Sequence, residues 1–277
     1  MPLTRTVVGR GAVVPEIRAA AALMAALRAP IPARGPWLTA VLNTAPRWPR
    51  SRPMAVVVEE HPGRPDAVAF LELRRRGLTT VVSVLGATVP VPGGRPPARL
   101  LARDEQAAGL LAAGVRDLLG TLRPPWALEL SGLPLGDPTA RALSALLPTS
   151  VLGNVRSTRL VDELDESGSP VLRTRDPHVL DSWLPALLAG AATASAADHV
   201  RAAARLHAAI GQLELAVVTE GDELRAGLLT LLDGEDRWPW WGTGEGLRAE
   251  MGAPLVGLTV PGTGWSSRSA LRSPAAP

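Results

Sequence analysis

A carboxylate and a hydroxyl on one face of a strand can take and give protons at a reacting group, and the run 126–132, Trp-Ala-Leu-Glu-Leu-Ser-Gly, supplies both. With a period of two, Trp126, Leu128 and Leu130 face one way while Ala127, Glu129 and Ser131 face the other. Glu72 adds a second carboxylate in another strand-like run, 67–74. The same alternation suits a half-exposed strand with a solvated polar face. A second chemistry is anion binding. Trp241, Gly242, Thr243, Gly244 and Gly246 follow a strand-like run, with Arg248 just beyond, and glycines let backbone N–H groups approach a phosphate. A tight turn has the same appearance.

Composition removes other chemistries. All 29 basic residues are Arg, with no Lys, Cys or Tyr and one Phe, Phe70. Schiff-base and P-loop lysines, thiol nucleophiles, disulfides and Cys-ligated zinc are therefore excluded. Against 26 acidic residues the net charge is only +3, so the pI of about 10.9 reports the missing Lys. An Arg-only, Ala- and Pro-rich vocabulary is what the genome of a GC-rich bacterium imposes. His199 and His207 stand eight apart, unlike the adjacent turns of a zinc-binding HExxH helix. No Gly-x-Ser-x-Gly elbow occurs. Trp238 and Trp240 share a strand face opposite Trp241, suited to sheet packing or to stacking a flat ligand. Arg74, Arg75 and Arg76 form a charged hairpin end, which Arg47, Arg50 and Arg52 would have to extend to make a nucleic-acid surface. The N-terminus lacks a signal-peptide pattern, and the apolar run 184–197 is too short to cross a bilayer. A cytoplasmic protein is expected, with no metal, no membrane contact and no nucleic-acid partner.

Periodicity orders the elements that must position these groups. After a first strand near 5–8 come helices opened by Pro15 and Pro36, and then strand-like runs 54–59, 67–74 and 78–85 separated by turn residues. A helix at 104–119, the strand at 126–132, a helix capped by Asp137 and Pro138, and a strand-like run at 150–161 follow. The polar loop 162–170 is the best boundary. Beyond it the order begins again, with helices at 177–188 and 197–210 and strands at 213–218, 224–232, 237–241 and 254–260.

The order α-α-β-β-β-α-β-α-β resembles that of the GNAT acyltransferase superfamily. Two such units in tandem resemble the Fem-type and CelD-like branches. MAVVVEEHPGRPDAVAFLELRRRG and PPWALELSGLPLGDPTARALSALLP look like the family's strand-turn-strand and strand-loop-helix segments, and GDELRAGLLTLLDGEDRWPWWG looks like a second hairpin. The resemblance implies an α/β fold with a mixed sheet. Its units would be 1–161 and a shortened 171–265, either incomplete or completed by a partner chain in a homodimer, with a disordered tail at 266–277. It implies an N-acyltransferase moving an acetyl or other acyl group from acyl-CoA, or from aminoacyl-tRNA in the Fem branch, to an amine of a small molecule or peptide. The family holds pantetheine between two splayed parallel strands and pyrophosphate on a (Gln/Arg)-x-x-Gly-x-(Gly/Ala) loop before a helix. The loop 92–99 has glycines and two Arg without that spacing, whereas 241–246 has the spacing with Trp241 in the first position. Glu129, Ser131 and Glu72 are then the candidates for base or hydroxyl donor, since the Tyr that many members use as acid is absent. That absence also leaves open a non-catalytic binding or scaffold protein.

Overall fold

In the computed structural model, which describes residues 2–44, 51–89, 91 and 96–262, the chain opens with β1 (Leu3–Val8), α1 (Arg10–Ala19), α2 (Ala21–Ala26) and α3 (Gly35–Thr44). Next come β2 (Ser51–His61), β3 (Arg64–Arg76), β4 (Thr79–Val84), β5 (Leu101–Ala102), α4 (Glu105–Gly120), β6 (Trp126–Pro134), α5 (Pro138–Leu146), β7 (Val151–Val155) and β8 (Thr158–Asp162). The remainder is β9 (Val171–Thr174), α6 (Pro177–Leu188), α7 (Ala194–Ala209), β10 (Leu213–Glu220), β11 (Glu223–Asp233), β12 (Asp236–Gly244), β13 (Leu247–Met251) and β14 (Leu255–Pro261). Pro46, Arg47, Arg50 and the 266–277 tail lie outside the described residues.

Local chemistry explains the helix starts. Asp104, Asp137, Asp176 and Thr193 each accept a backbone N–H from the first turn of α4, α5, α6 and α7, and Pro138 and Pro177 occupy first-turn positions that need no donor. Pro15 sits inside α1 instead of opening it, at the cost of one helical hydrogen bond. The run expected at 150–161 is two strands in different sheets, and β9 and β13 are too short to stand out in the sequence.

The largest sheet has the order β1-β2-β3-β4-β6-β14-β7, with β5 also on β3; the second is β12-β11-β10-β9, and β13 pairs with β8. The pairings are antiparallel except β4 with β6. This is an α/β architecture with a mixed sheet. The strand expected at 254–260 lies inside the largest sheet: β14 fills the place between β6 and β7. Its Leu258 and Val260 are buried beneath α4 and α5, so apolar burial favours this place over a free edge.

Alternation along β2 separates two cores. Met54, Val56 and Val58 pack with Leu111, Val115 and Leu143 from α4 and α5, while Ala55 and Val57 join a second cluster on the opposite face. That second cluster is shared by both halves of the chain, combining Val13, Trp37 and Val41 with Leu184, Val200, Leu229 and Trp240. Trp37 is fully buried, with edge contacts to His199 at 5.1 Å, Trp238 at 5.3 Å and Trp240 at 5.1 Å. His199 Nδ1 lies 3.0 Å from the Thr44 hydroxyl, joining α7 to α3.

His199 Nε2 and both ring nitrogens of His207 are buried without partners. Burial pushes both imidazoles down to about 4. They stay neutral in the folded chain while the unfolded chain takes up protons below about pH 6.5. Stability should therefore be complete above that pH and fall as pH drops toward 4, by up to about 1.4 kcal/mol per unit for each histidine. Urea midpoints measured from pH 7 to pH 5 should decline, and His207→Leu should flatten the decline; a midpoint that does not move over this range would contradict the assignment.

Candidate active site

β4 and β6 run in parallel register from Thr80↔Trp126 to Ser83↔Glu129 and then part. On the β4 side the chain leaves the sheet after Leu85, whose N–H still bonds the Phe70 carbonyl at 3.0 Å. The line along β3 resumes only at β5, with Leu101↔Val68 and Ala102↔Ala67. Of the described residues between Leu85 and Leu101, 86–89 and 96–100 lie outside this strand line. The second of these stretches crosses to β6, where the Ala98 N–H donates to the Gly132 carbonyl at 2.7 Å. Gly132 has φ +78, and a Cβ there would lie 2.7 Å from the Pro96 carbonyl oxygen.

The register places the predicted proton-handling groups side by side. Glu72 pairs with Ser83, Ser83 with Glu129, and Glu129 with Thr259, across β3, β4, β6 and β14. Ser131, two positions along β6, shares the face of Glu129, and Phe70, two positions from Glu72, packs in the shared core. Glu72 is 4% exposed and accepts a hydrogen bond from the Ser51 hydroxyl at Oε1. The Ser83 hydroxyl is buried without a partner, and Ser131 is buried as well. Glu129 is held by Arg76 through two bonds of 2.8 and 2.9 Å, a two-point pairing that occupies both its oxygens. The structure thus gathers Glu72, Glu129 and Ser131 and adds Ser83, which the sequence reading missed because its neighbours along β4 are nearly all apolar or β-branched.

The glycine run is elsewhere. Trp241 is buried and donates its indole N–H to the Leu187 carbonyl at 3.2 Å. Gly242, Thr243 and Gly244 pair with Leu228, Gly227 and Ala226 inside the second sheet. A Cβ at Gly244, where φ is +90, would lie 2.1 Å from the Arg225 carbonyl oxygen, so this glycine serves close strand approach. Gly246 turns the chain into β13, and no helix follows among the described residues. Arg248 pairs with Glu163 at 2.8 Å and Glu250 at 2.6 Å, which holds its guanidinium protonated more firmly than usual, the Glu163 bond being the main cause.

The helix that follows the parting strands is α4. One N–H of its first turn is already answered, because Asp104 accepts from the Ala107 N–H at 2.8 Å, the main reason its carboxyl sits below the usual range. Glu105 adds a second negative charge in the first turn. The run 103–108, Arg-Asp-Glu-Gln-Ala-Ala, has no Gly.

No family model and no curated protein matches the chain. Among solved structures, a tandem GNAT protein from the clavulanic acid biosynthesis pathway is 14% identical, covers 94% of this chain and 98% of its own, and has a TM-score of 0.45. A conserved protein of unknown function from Bacteroides thetaiotaomicron is 8% identical over 82% and 90%, with a TM-score of 0.47. A GCN5-related N-acetyltransferase from Sphaerobacter thermophilus is 12% identical over 93% and 95%, with a TM-score of 0.36. Likeness at this level carries no argument about the site.

Beside Gly132, a cleft of about 390 Å³ opens at the seam between the halves, lined by Arg28, Pro32, Arg99, Trp238 and Leu255 among others. Among the described residues no three His, Asp or Glu side chains gather as a metal site, and no helix is long and apolar enough to cross a membrane.

The close approach at Gly132 can be separated from its backbone angle. Gly132→Ala should cost about 2–3 kcal/mol, against about 1 kcal/mol for Gly136→Ala, because Gly136 has a similar φ of +79 and open space around its Cβ position. Equal urea midpoints for the two variants would show that the segment 96–98 does not press on β6.

Proposed function

We propose that the chain transfers an acyl group from a thioester to an amine where β4 and β6 part, with Glu72 as the base. The observation that supports this reading is the shared face on which Glu72, Ser83, Glu129 and Ser131 meet beside the parting strands. The amine nitrogen attacks the thioester carbonyl carbon and its proton passes to the Glu72 carboxylate. Ser131 donates a hydrogen bond to the carbonyl oxygen as negative charge develops there. The C–S bond then breaks, and the thiolate leaves to take a proton from water. Between the two carboxylates, Glu129 is committed to Arg76, whereas Glu72 has a second oxygen without a partner among the described residues. In this reading the chain is a tandem GNAT-like protein of the Fem or CelD type, cytoplasmic and acting on a small-molecule or peptide amine, with β14 completing the first unit.

The residues fit one end of the expected acyl-CoA better than the other. A pantetheine arm entering between β4 and β6 would take the place of Ala98 on Gly132. The N-terminus of α4 carries Asp104 and Glu105 where a diphosphate would sit, and like charges there are unfavourable. Acetyl-CoA and S-acetyl pantetheine should therefore serve as donors within about threefold of each other.

A second reading, a non-catalytic binding protein on the same fold, is favoured by the Ala98–Gly132 hydrogen bond, which closes the gap with the chain's own backbone. Thiol release from either donor with a panel of amines separates the two. Under the first reading, release is seen and falls about 100-fold or more in Glu72→Gln. Absence of release with every amine favours the second, and a larger loss in Glu129→Gln than in Glu72→Gln would reassign the base.

A further inference from the structure

The helix α2 ends in a paired C-terminal motif: the Arg28 N–H bonds the Ala25 carbonyl at 3.0 Å and the Ala29 N–H bonds the Met24 carbonyl at 2.9 Å. The residue between helix and exit must then be left-handed, and Arg28 has φ +46, the only non-glycine residue with positive φ among the described residues. Glycine normally fills this position because a side chain there strains the backbone. An arginine at such a place points to work done by its side chain. That side chain is exposed, borders the 390 Å³ seam cleft, and has no hydrogen bond or ion pair among the described residues.

Of the other charges around the cleft, Arg237 and Asp236 have partners of opposite sign, and Arg99 bonds a backbone carbonyl. Arg99 donates to the Leu27 carbonyl at 2.6 Å, Arg237 to Glu214 at 2.5 Å, and Asp236 accepts from Arg34 at 3.0 Å. Arg28 presents a guanidinium fork with no bond of its own among the described residues, and Arg99 is held only through one N–H on a neutral carbonyl, so the cleft carries uncompensated positive charge whose planar forks match a carboxylate. Arg28 also borders a wider cleft of about 600 Å³, where Arg34 pairs with Asp233 and Asp236 and the remaining carboxylate, Glu235, disfavours an anion. On the narrower side Trp238 and Pro32 offer a flat apolar wall, and Gly132 marks the end nearest the parting strands.

We infer that the seam cleft binds an amino acid or short peptide with an apolar side chain, its carboxylate on Arg28 and its body along Trp238. The amine end, directed toward Gly132, rests on the acyl-transfer reading; the carboxylate contact does not. Cleft size agrees, since small-molecule sites are of this order.

Calorimetry with glycyl-L-phenylalanine, its C-terminal amide and inorganic phosphate tests the inference on the full chain without a donor. The dipeptide should bind, and the amide should bind at least about tenfold more weakly. Arg28→Gly should lose the dipeptide while its melting temperature rises by roughly 1–4 °C, because strain is relieved. Arg28→Gln should lose binding without that rise. Glu72→Gln should bind the dipeptide as the wild type does, so loss of turnover in that variant leaves this site untouched. No dipeptide binding at millimolar concentration, full binding by Arg28→Gly, or tighter binding of phosphate than of dipeptide would each overturn it, even if thiol release with other amines upheld acyl transfer.

Discussion

The packing of Trp37 at the seam is the constraint on which the rest of the structure depends. Its indole is fully buried and touches His199 from α7 and Trp238 and Trp240 from β12, so one side chain of the first half is walled by elements of the second. Replacing a buried Trp with Ala typically costs about 3–5 kcal/mol, a large share of the stability of an ordinary domain. The same contact sets the relative position of Arg28, in the turn after α2, and Trp238, from β12, across the cleft between them. A seam built this way has consequences for chemistry as well as for stability.

The placement of β14 has a similar effect on the other side of the sheet. The last described strand of the chain lies between β6 and β7, so β6 is paired on both flanks up to Glu129 and loses only its β4 partner beyond that point. The opening is therefore local and lies beside buried Glu72 and Ser83. Burial of a carboxylate and a hydroxyl with few partners is unfavourable for folding, and such cost is commonly tolerated where the groups act on a ligand.

Much of this was legible in the sequence, for physical reasons that also explain the gaps. The strands β2, β3, β4 and β6 and the capped helices α4 to α6 announce themselves through alternation, Asp caps and first-turn Pro. Glu72, Glu129 and Ser131 were visible as polar residues on strand faces, and the register brings them together. The pairing of β14 with β6 joins residues more than a hundred positions apart, and no local pattern encodes it. The run from Trp241 to Gly246 had phosphate-loop spacing, yet its glycines answer to strand crowding, since spacing alone does not tell a turn before a helix from a bend between strands. Ser83 was hidden among apolar neighbours, and Arg28 because a left-handed helix cap is a property of the backbone that an arginine does not advertise.

The central claim is that the gap between β4 and β6 receives the donor, and the Ala98 amide reports on it directly. Pro96 and Pro97 carry no N–H, so Ala98 is the first exchangeable amide of the described stretch 96–100, and its bond to Gly132 should protect it. Hydrogen exchange at Ala98 should speed up when S-acetyl pantetheine is added, as the arm displaces the segment from β6. Exchange that is unchanged or slower at saturating thioester would contradict the account.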